Sequence, residues 1–353
     1  MGDPIRVALR FSSPSDGADH RVEITTRDRS GRCRQDAFDV QPTDGLVDPL
    51  AAYFADAGGI FGGPRREVPI AEEPEIVRTL NEHVRIDRPG RFALRVRTKR
   101  VRRGSASSGG WMLSSNEIRF EVVCARPEER AEKIQRAARV LVDPSAAARA
   151  KVEAARTLRF SGTRDAVDAM VGAHRMDERA TARELRLGLL GAPDRAHAVD
   201  AMRACLAGEA PIRHDFLQTL SLLASVRTDA PSAGEGVEER ARRHRTFHAR
   251  WQAARRDLAA ALVRALDGKP VDARATSARA LAELIRCVPG DARDALDDRP
   301  FFDGIDRRLA AIIGALPPEQ RRRLAAQDWK PMRDEPRLQH VMRVLRGGGN
   351  SSA

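Results

Sequence analysis

The sequence has few of the residues that mark several common classes of protein. Aromatic residues make up 4% of the chain, with a single tyrosine, so base-stacking platforms for nucleic acids are scarce. The four cysteines lie at least 81 residues apart, which excludes the CxxC spacing of zinc and redox sites. We therefore expect isolated buried thiols, with a Cys33–Cys124 disulfide as the alternative.

Long apolar runs are also absent. No stretch approaches the ~18–20 apolar residues that span a bilayer, so we expect no membrane span. Met1 leads directly into Gly2-Asp3-Pro4 instead of a basic and then apolar signal segment. As written, the chain is expected to remain in the cytoplasm.

The motifs of the common enzyme classes are missing too. The chain contains no GxSxG, no GxxxxGK[ST] and no GxGxxG between a strand and a helix. His244 and His248 have the i, i+4 spacing of paired zinc ligands, but no Glu follows His244 and no third ligand is adjacent. We expect no enzyme activity, no cofactor and no metal, and we keep an unrecognised hydrolase as an alternative.

Basic residues, in contrast, are abundant and unevenly distributed. The formal net charge is +12, and only five of the 62 basic residues are lysine. Residues 1–124 contribute +2 of this charge and the remaining chain +10. Seven arginines occur without an intervening acid at positions 240, 242, 243, 245, 250, 255 and 256. This pattern favours a solvated face or an acidic protein partner, with polyanion binding as the alternative.

Apolar residues recur at every second position between residues 5 and 124, which is the period of half-buried strands. Turn-forming segments at 87–90 and 104–110 separate the runs. We expect an antiparallel, Ig-like β-sandwich over residues 1–125, with ion pairs between Arg95, Arg97 or Lys99 and Glu117 or Glu121. The clearest runs are Ile5/Val7/Leu9/Phe11, Val22/Ile24/Thr26, Phe92/Leu94/Val96/Thr98 and Ile118/Phe120/Val122.

From about residue 126 to residue 346 the apolar period is 3.6. The predicted helix starts are Pro127, Ser145, Thr163, Glu178, Asp194 and Pro211. Their steps of 15–18 residues correspond to helical hairpins that repeat at roughly 35 residues, which is typical of an α-solenoid. The tetratricopeptide signature is absent, so we expect a HEAT-like repeat domain over residues 126–346, followed by a disordered tail at 347–353.

The later part of this domain contains a long helix. It is predicted from about Val237 to Asp267, with Phe247, Trp251 and Leu258 on one apolar stripe. Further helices are expected at about 271–288, 301–315, 318–327 and 336–346.

Several phrases carry a resemblance to known proteins. They lie at 26–54 (beginning TRDRSGRCRQDAF), 80–96, 114–123 (SSNEIRFEVV), 155–167, 187–206 and 216–220. They resemble a group of uncharacterised bacterial proteins that join an N-terminal β-sandwich to C-terminal HEAT-like helices. The resemblance implies this architecture and no known activity.

The resembling proteins are typically exported, and their sandwich begins with a strand ahead of the segment that matches Ile5–Phe11. The resemblance therefore implies one of two situations. Either the true start lies upstream with a signal peptide, which gives a periplasmic or extracellular protein, or this chain has lost that strand and its export.

The architecture favours a non-catalytic protein-binding or scaffolding module, because solenoids present extended recognition surfaces. The alternative is a nucleic-acid binder that uses the arginine-rich helix 240–256. The Gly-rich segment 51–64 is either a short helix at about 48–56 over the sandwich edge or an adhesive surface, and Trp111 in the Gly/Ser loop is a further candidate. The predicted partner-binding residues are Ile60, Phe61, Trp111, Arg242, Arg243, Arg245, Arg250, Arg255 and Arg256.

Overall fold

The computed structural model describes residues 3–13, 19–25, 35–57, 66–104, 110–176, 181–227, 235–286, 299–327, 329, 332 and 335–347. An N-terminal antiparallel β-sheet region precedes a C-terminal helical region, as expected. The last strand ends at Val122 and the next helix begins at Pro127. Cys33, Cys287, residues 228–234 and the tail from residue 348 onward lie outside the described residues. Residues 228–234 belong to the segment 228–236, whose composition predicts a loop.

The strands pair antiparallel throughout. A six-stranded sheet has the order β10-β8-β2-β5, with β3 and β9 also paired to β8, and β1-β6 and β4-β7 form two further pairs. The strands are β1 (Arg6–Arg10), β2 (His20–Glu23), β3 (Asp36–Gln41), β4 (Leu46–Val47), β5 (Glu67–Pro69), β6 (Glu75–Thr79), β7 (Arg85–Ile86), β8 (Gly90–Arg103), β9 (Trp111–Ser114) and β10 (Ile118–Val122).

β8 is the central strand of the large sheet, and four strands pair along its length. β10 pairs with residues 90–94 of β8 and β9 with residues 97–101. β3 pairs with residues 93–98 of β8 and β2 with residues 101–103, so both overlap the part of β8 that pairs with β10 and β9. β3 and β2 therefore lie on the other edge of β8. β9 and β10 therefore follow one another along one edge of β8.

The predicted two-residue alternation is confirmed in the best-defined strands. Val7 and Leu9 of β1, Val22 of β2, and Phe92 and Leu94 of β8 lie in one buried cluster, so both sheets contribute to the same core. On the outer face, the Arg95 guanidinium lies 3.4 Å from the Glu117 carboxylate, which confirms an expected cross-strand ion pair.

The helices begin within four residues of the predicted starts. Ser145 precedes its helix by three residues because the Asp143 side chain binds its N–H in a turn. The helices are α1 (Ala51–Asp56), α2 (Pro127–Val142), α3 (Ala148–Ser161), α4 (Arg164–Met176), α5 (Ala182–Leu190), α6 (Arg195–Ala207), α7 (His214–Ser225), α8 (Val237–Leu266), α9 (Val271–Arg286), α10 (Arg299–Gly314), α11 (Pro318–Ala326) and α12 (Gln339–Gly347).

Helices α2 to α9 pack in a regular way. Each helix from α2 to α7 contacts the next helix and the next but one, so α3, α5, α7 and α9 are successive neighbours, as are α2, α4, α6 and α8. Their apolar faces form one continuous cluster with Leu158, Leu189, Phe216 and Leu281 fully buried. None of the described helices is long and apolar enough to cross a membrane.

The two regions are joined by buried polar contacts. Arg156 of α3 lies 3.7 Å from Glu82 of the β-sheet region and 3.6 Å from Glu184 of α5. Arg159 donates to the same Glu184 at 2.7 Å, and Arg85 of β7 donates to the Gly191 carbonyl at 3.1 Å. These contacts fix the β-sheet region against α3 and α5.

The cysteines depart from the expected buried thiols. Cys124 is a free, exposed thiol, and Cys205 of α6 is free and partly exposed. The prediction is wrong for Cys124 because this residue follows the end of β10, where no neighbouring strand among the described residues covers it.

Candidate functional site

α8 carries most of the predicted partner-binding residues, and it has two distinct halves. The helix has 30 residues, a length of about 45 Å. None of residues 237–246 is buried, whereas Phe247, Leu258 and Leu262 lie in the core of the helical region. The apolar stripe is thus confirmed from Phe247 onward, and about three turns of α8 extend beyond the core.

The extended half of α8 presents arginines to solvent. Arg240, Arg242 and Arg245 are exposed, and Arg242 and Arg245 share one helix face because they are three residues apart. Arg243 differs, since its guanidinium is 2.7 Å from the Glu235 carboxylate and its side chain is only 10% exposed. We define the surface formed by Arg242 and Arg245 as the α8 basic surface, and Arg240 is exposed on another side of the same half of the helix.

Arg250 contacts another part of the chain. Its guanidinium lies 3.3 Å from Asp56 Oδ2 at the end of α1, and this aspartate is buried. The same oxygen accepts the backbone N–H of Arg227 at 2.7 Å. Arg250 thus neutralises a carboxylate in the contact between α1 and α8, and because its side chain is still 37% exposed, its role in partner binding stays a prediction.

Arg255 is also a structural residue. It is 2% exposed, and its guanidinium lies 4.3 Å from the centre of the Trp251 ring. The indole N–H of Trp251 in turn donates to Ser221 Oγ at 3.0 Å. A cation–π contact of this kind stabilises the fold, so the prediction for Arg255 is wrong. The i, i+4 spacing of Trp251 and Arg255 was the sequence signal for this cation–π contact. Arg256 is half-buried.

This division of the arginines predicts unequal effects of two matched substitutions. Arg250→Ala leaves the buried Asp56 carboxylate without its ion pair and should lower the free energy of unfolding by about 1–3 kcal/mol. Arg245→Ala, on the exposed half of the same helix, should change it by less than about 0.5 kcal/mol. Urea denaturation of both variants measures the difference. Equal losses of stability would show that the two halves of α8 do not differ as described.

The segment 51–64, expected to be a short helix or an adhesive surface, begins as a helix. α1 is confirmed, and it packs on α8, because Ala52 and Phe54 belong to the hydrophobic cluster of the helices. Phe54 also lines a cavity with residues of β3 and β4, so the helix lies beside the β-sheet region as well. Burial raises the pKa of the Tyr53 phenol, which lies against the same cluster. Ile60 and Phe61 lie outside the described residues, so their role remains a prediction.

Trp111 lies at the start of β9 and not in the loop where the sequence placed it. Its side chain is 49% exposed, and its ring centre is 4.9 Å from that of His20. Met112 and Leu113 are exposed as well, so both faces of β9 carry uncovered apolar groups. Gly110 immediately precedes β9. A Cβ atom at this position would overlap the Lys99 carbonyl oxygen, which excludes any larger residue there.

The histidine pair of α8 forms a ring contact. The His244 and His248 ring centres are 4.4 Å apart in an edge-on arrangement. Partial burial lowers the pKa of His248, and the neighbouring His244 lowers it further. Among the described ranges, no group of three or more His, Cys, Asp or Glu side chains is placed to hold a metal ion.

A buried charged cluster in the β-sheet region was not foreseen from the sequence. Asp36 of β3 accepts two hydrogen bonds of 2.7 Å from Arg100 of β8 and one of 2.9 Å from Thr98. The Arg78 guanidinium of β6 lies 3.3 Å from the same carboxylate. One available signal was the position of Arg100, which continues the inward phase of Phe92, Leu94, Val96 and Thr98.

This cluster adjoins an open cavity of about 570 Å³ lined by residues that include Asp36, Phe38, Asp39 and His83. Arginine only donates hydrogen bonds, so His83 Nε2 accepts the contact of 3.1 Å from Arg78. The Asp36 oxygens are occupied by Arg100, Arg78 and Thr98. The arrangement therefore joins the two sheets, since Arg78 belongs to the β1-β6 pair and Arg100 to the large sheet.

Contacts within the fold thus involve Arg243, Arg250 and Arg255. The exposed arginines in the first half of α8 are Arg240, Arg242 and Arg245, and Trp111 lies on a separate surface. Comparison with known proteins found no match to a family model, to a curated protein or to a solved structure.

Proposed function

We propose that this protein is a non-catalytic protein-binding module that presents the α8 basic surface to an acidic polypeptide. The observation that carries the proposal is the exposure of Arg240, Arg242 and Arg245 on a part of α8 that extends beyond the core. Guanidinium groups suit this role because they bind carboxylates with two parallel hydrogen bonds.

The proposed architecture is a β-sandwich joined to a HEAT-like solenoid. The regular packing of each helix on the next and the next but one supports a solenoid, because stacked helical hairpins bury their apolar faces in this way. The buried cluster shared by the β1-β6 pair and the large sheet supports a sandwich. A solenoid would provide a rigid base for the extended half of α8.

A nucleic-acid partner is the alternative, and two features of α8 favour a protein instead. The exposed half contains no Trp, Tyr or Phe on which a base would stack, and Trp251 lies beneath Arg255. Glu238 and Glu239 are exposed in the first turn and would repel a continuous phosphate backbone. A protein can instead place single carboxylates opposite Arg242 and Arg245.

A binding titration tests the proposal. A fluorescent synthetic peptide of alanine with spaced glutamates should bind the protein, and Arg242→Glu with Arg245→Glu should weaken binding by about tenfold, since two exposed charge pairs are reversed. Arg322→Glu with Arg323→Glu makes the same change of net charge on α11 and should leave binding unchanged.

Two results would contradict the proposal. One is equal weakening by the α8 and α11 double variants, which would indicate nonspecific attraction to a cationic chain. The other is tighter binding of a duplex oligonucleotide than of the peptide. If this binding weakens steeply with salt and is lost in the Arg242→Glu with Arg245→Glu variant, the nucleic-acid alternative is favoured.

A further inference from the structure

β10 forms an edge of the large sheet. It pairs with β8 on one side, and the sheet ends there as far as the described residues show. Such a strand leaves the N–H and C=O groups of alternate residues unpaired, and these groups are a template for another strand. β10 has no proline, which would prevent such pairing.

The core-facing side chains of β10 are incompletely covered. Ile118, Phe120 and Val122 lie opposite Leu94, Phe92 and Gly90 of β8, so they face the core. Ile118 is nevertheless 42% exposed, and Phe120 and Val122 are half-buried. A cavity of about 560 Å³ lies beside them, between β10 and the start of α4, and Phe120 and Val122 line it. An apolar strand placed beside β10 would cover these side chains.

The sequence of β10 is complementary to itself when two copies run antiparallel. With Phe120 opposite Phe120 of the second copy, Ile118 faces Val122, and Arg119 faces Glu121. Each apolar residue then lies opposite an apolar residue. Arg119 of each copy lies opposite Glu121 of the other copy, so the two strands form two pairs of opposite charge. Arg119 and Glu121 are both exposed on the outer face of the sheet, where such ion pairs form.

We propose that two copies of this chain associate through β10, which pairs antiparallel about Phe120 and extends the six-stranded sheet across both subunits. The backbone groups of the two edges provide affinity, and the Arg119–Glu121 pairs fix the register. This surface is separate from the α8 basic surface, so the proposal does not depend on the partner proposed for α8.

Charge reversal tests the register. Sedimentation equilibrium of the full chain should show a monomer–dimer equilibrium. Arg119→Glu and Glu121→Arg should each weaken dimerisation by about tenfold, since each places like charges opposite one another at two points. A mixture of the two single variants should form a heterodimer, because one chain then carries acids at both positions and the other carries arginines at both. The double variant Arg119→Glu with Glu121→Arg should regain wild-type dimerisation.

Arg97→Glu is the matched control, since it reverses an exposed charge on β8 opposite β9 and should leave the dimer unchanged. All variants should keep the wild-type melting temperature at concentrations where the chain is monomeric, because the altered side chains are exposed. A wild-type chain that stays monomeric would overturn the proposal. So would single variants that fail to associate on mixing although the wild type dimerises, because the interface would then lie elsewhere.

Discussion

Asp36→Asn is expected to lower the free energy of unfolding by about 3–5 kcal/mol, the usual cost of removing one member of a buried ion pair. The Asp36 and Arg100 side chains are both fully buried, and the carboxylate also lies 3.3 Å from Arg78. An amide would leave two buried guanidinium groups without their common countercharge. Since Arg78 lies on β6 and Arg100 on β8, both sheets should lose stability together.

Asp39→Asn is the matched control for this prediction. Asp39 lies on the same strand, but its side chain is exposed, so the same substitution should change stability by less than about 0.5 kcal/mol. Thermal and urea denaturation of the three proteins decide the matter. A wild-type melting temperature for Asp36→Asn would show that the cluster does not hold the sheets together.

The stability of the helical region is expected to fall as the pH is lowered from 6.5 to about 4, with a contribution of about 3 kcal/mol from His174. This residue of α4 is 1% exposed, and burial lowers its pKa from 6.5 to about 4, with a smaller effect from the charge of Arg186. The unfolded chain takes up a proton below pH 6.5 while the folded chain resists it, so acid favours unfolding until the folded pKa is reached.

The hydrogen bonds explain why His174 stays neutral. Thr219 Oγ1 donates to the Asp215 carbonyl at 2.8 Å, so it accepts from His174 Nε2 at 2.9 Å. The proton therefore lies on Nε2, and Nδ1 has no hydrogen-bond partner in the described part of the chain. A second proton on Nδ1 would be a buried charge without an acceptor.

His174→Leu tests this prediction through the slope of unfolding free energy against pH. The variant should lose less stability than the wild type between pH 6.5 and pH 4, whatever its stability at neutral pH. Val171→Ala, which truncates a buried residue of the same helix without removing a titratable group, is the control and should keep the wild-type slope. Parallel curves for His174→Leu and the wild type would contradict the prediction.

The secondary structure was largely predictable because its signals are local. The alternation at Val7, Leu9, Phe92 and Leu94 predicted their burial, and caps and prolines predicted the helix starts to within four residues. Local periodicity reports which face of an element is apolar, and most of these faces are covered in the structure.

The contacts between distant segments were not predictable in the same way. The sequence predicted α1 as a helix. Where α1 packs depends on the contact of Asp56 with Arg250, which is 194 residues further along the chain. The buried pair Asp36–Arg100 likewise joins residues 64 positions apart. Periodicity carries no information on such pairings, so the local signals for this cluster were only its charges at inward positions, Asp36, Arg78 and Arg100.

The candidate site was partly predictable for the same reason. The density of arginine singled out the helix that carries the proposed surface, but not which of its arginines face solvent. Arg242 and Arg245 are exposed as predicted, whereas Arg250 and Arg255 are held by Asp56 and Trp251. Separating these groups requires knowledge of where the core begins, and the first buried residue of α8 is Phe247.

Amide hydrogen exchange, measured with and without the glutamate–alanine peptide, tests the proposed binding surface most directly. Because residues 237–246 extend beyond the core, their amides should exchange rapidly in the free protein and more slowly in the complex. The protection should be centred on 237–246 and disappear in the Arg242→Glu with Arg245→Glu variant. Peptide binding that protects other helices and leaves 237–246 unchanged would contradict the proposal.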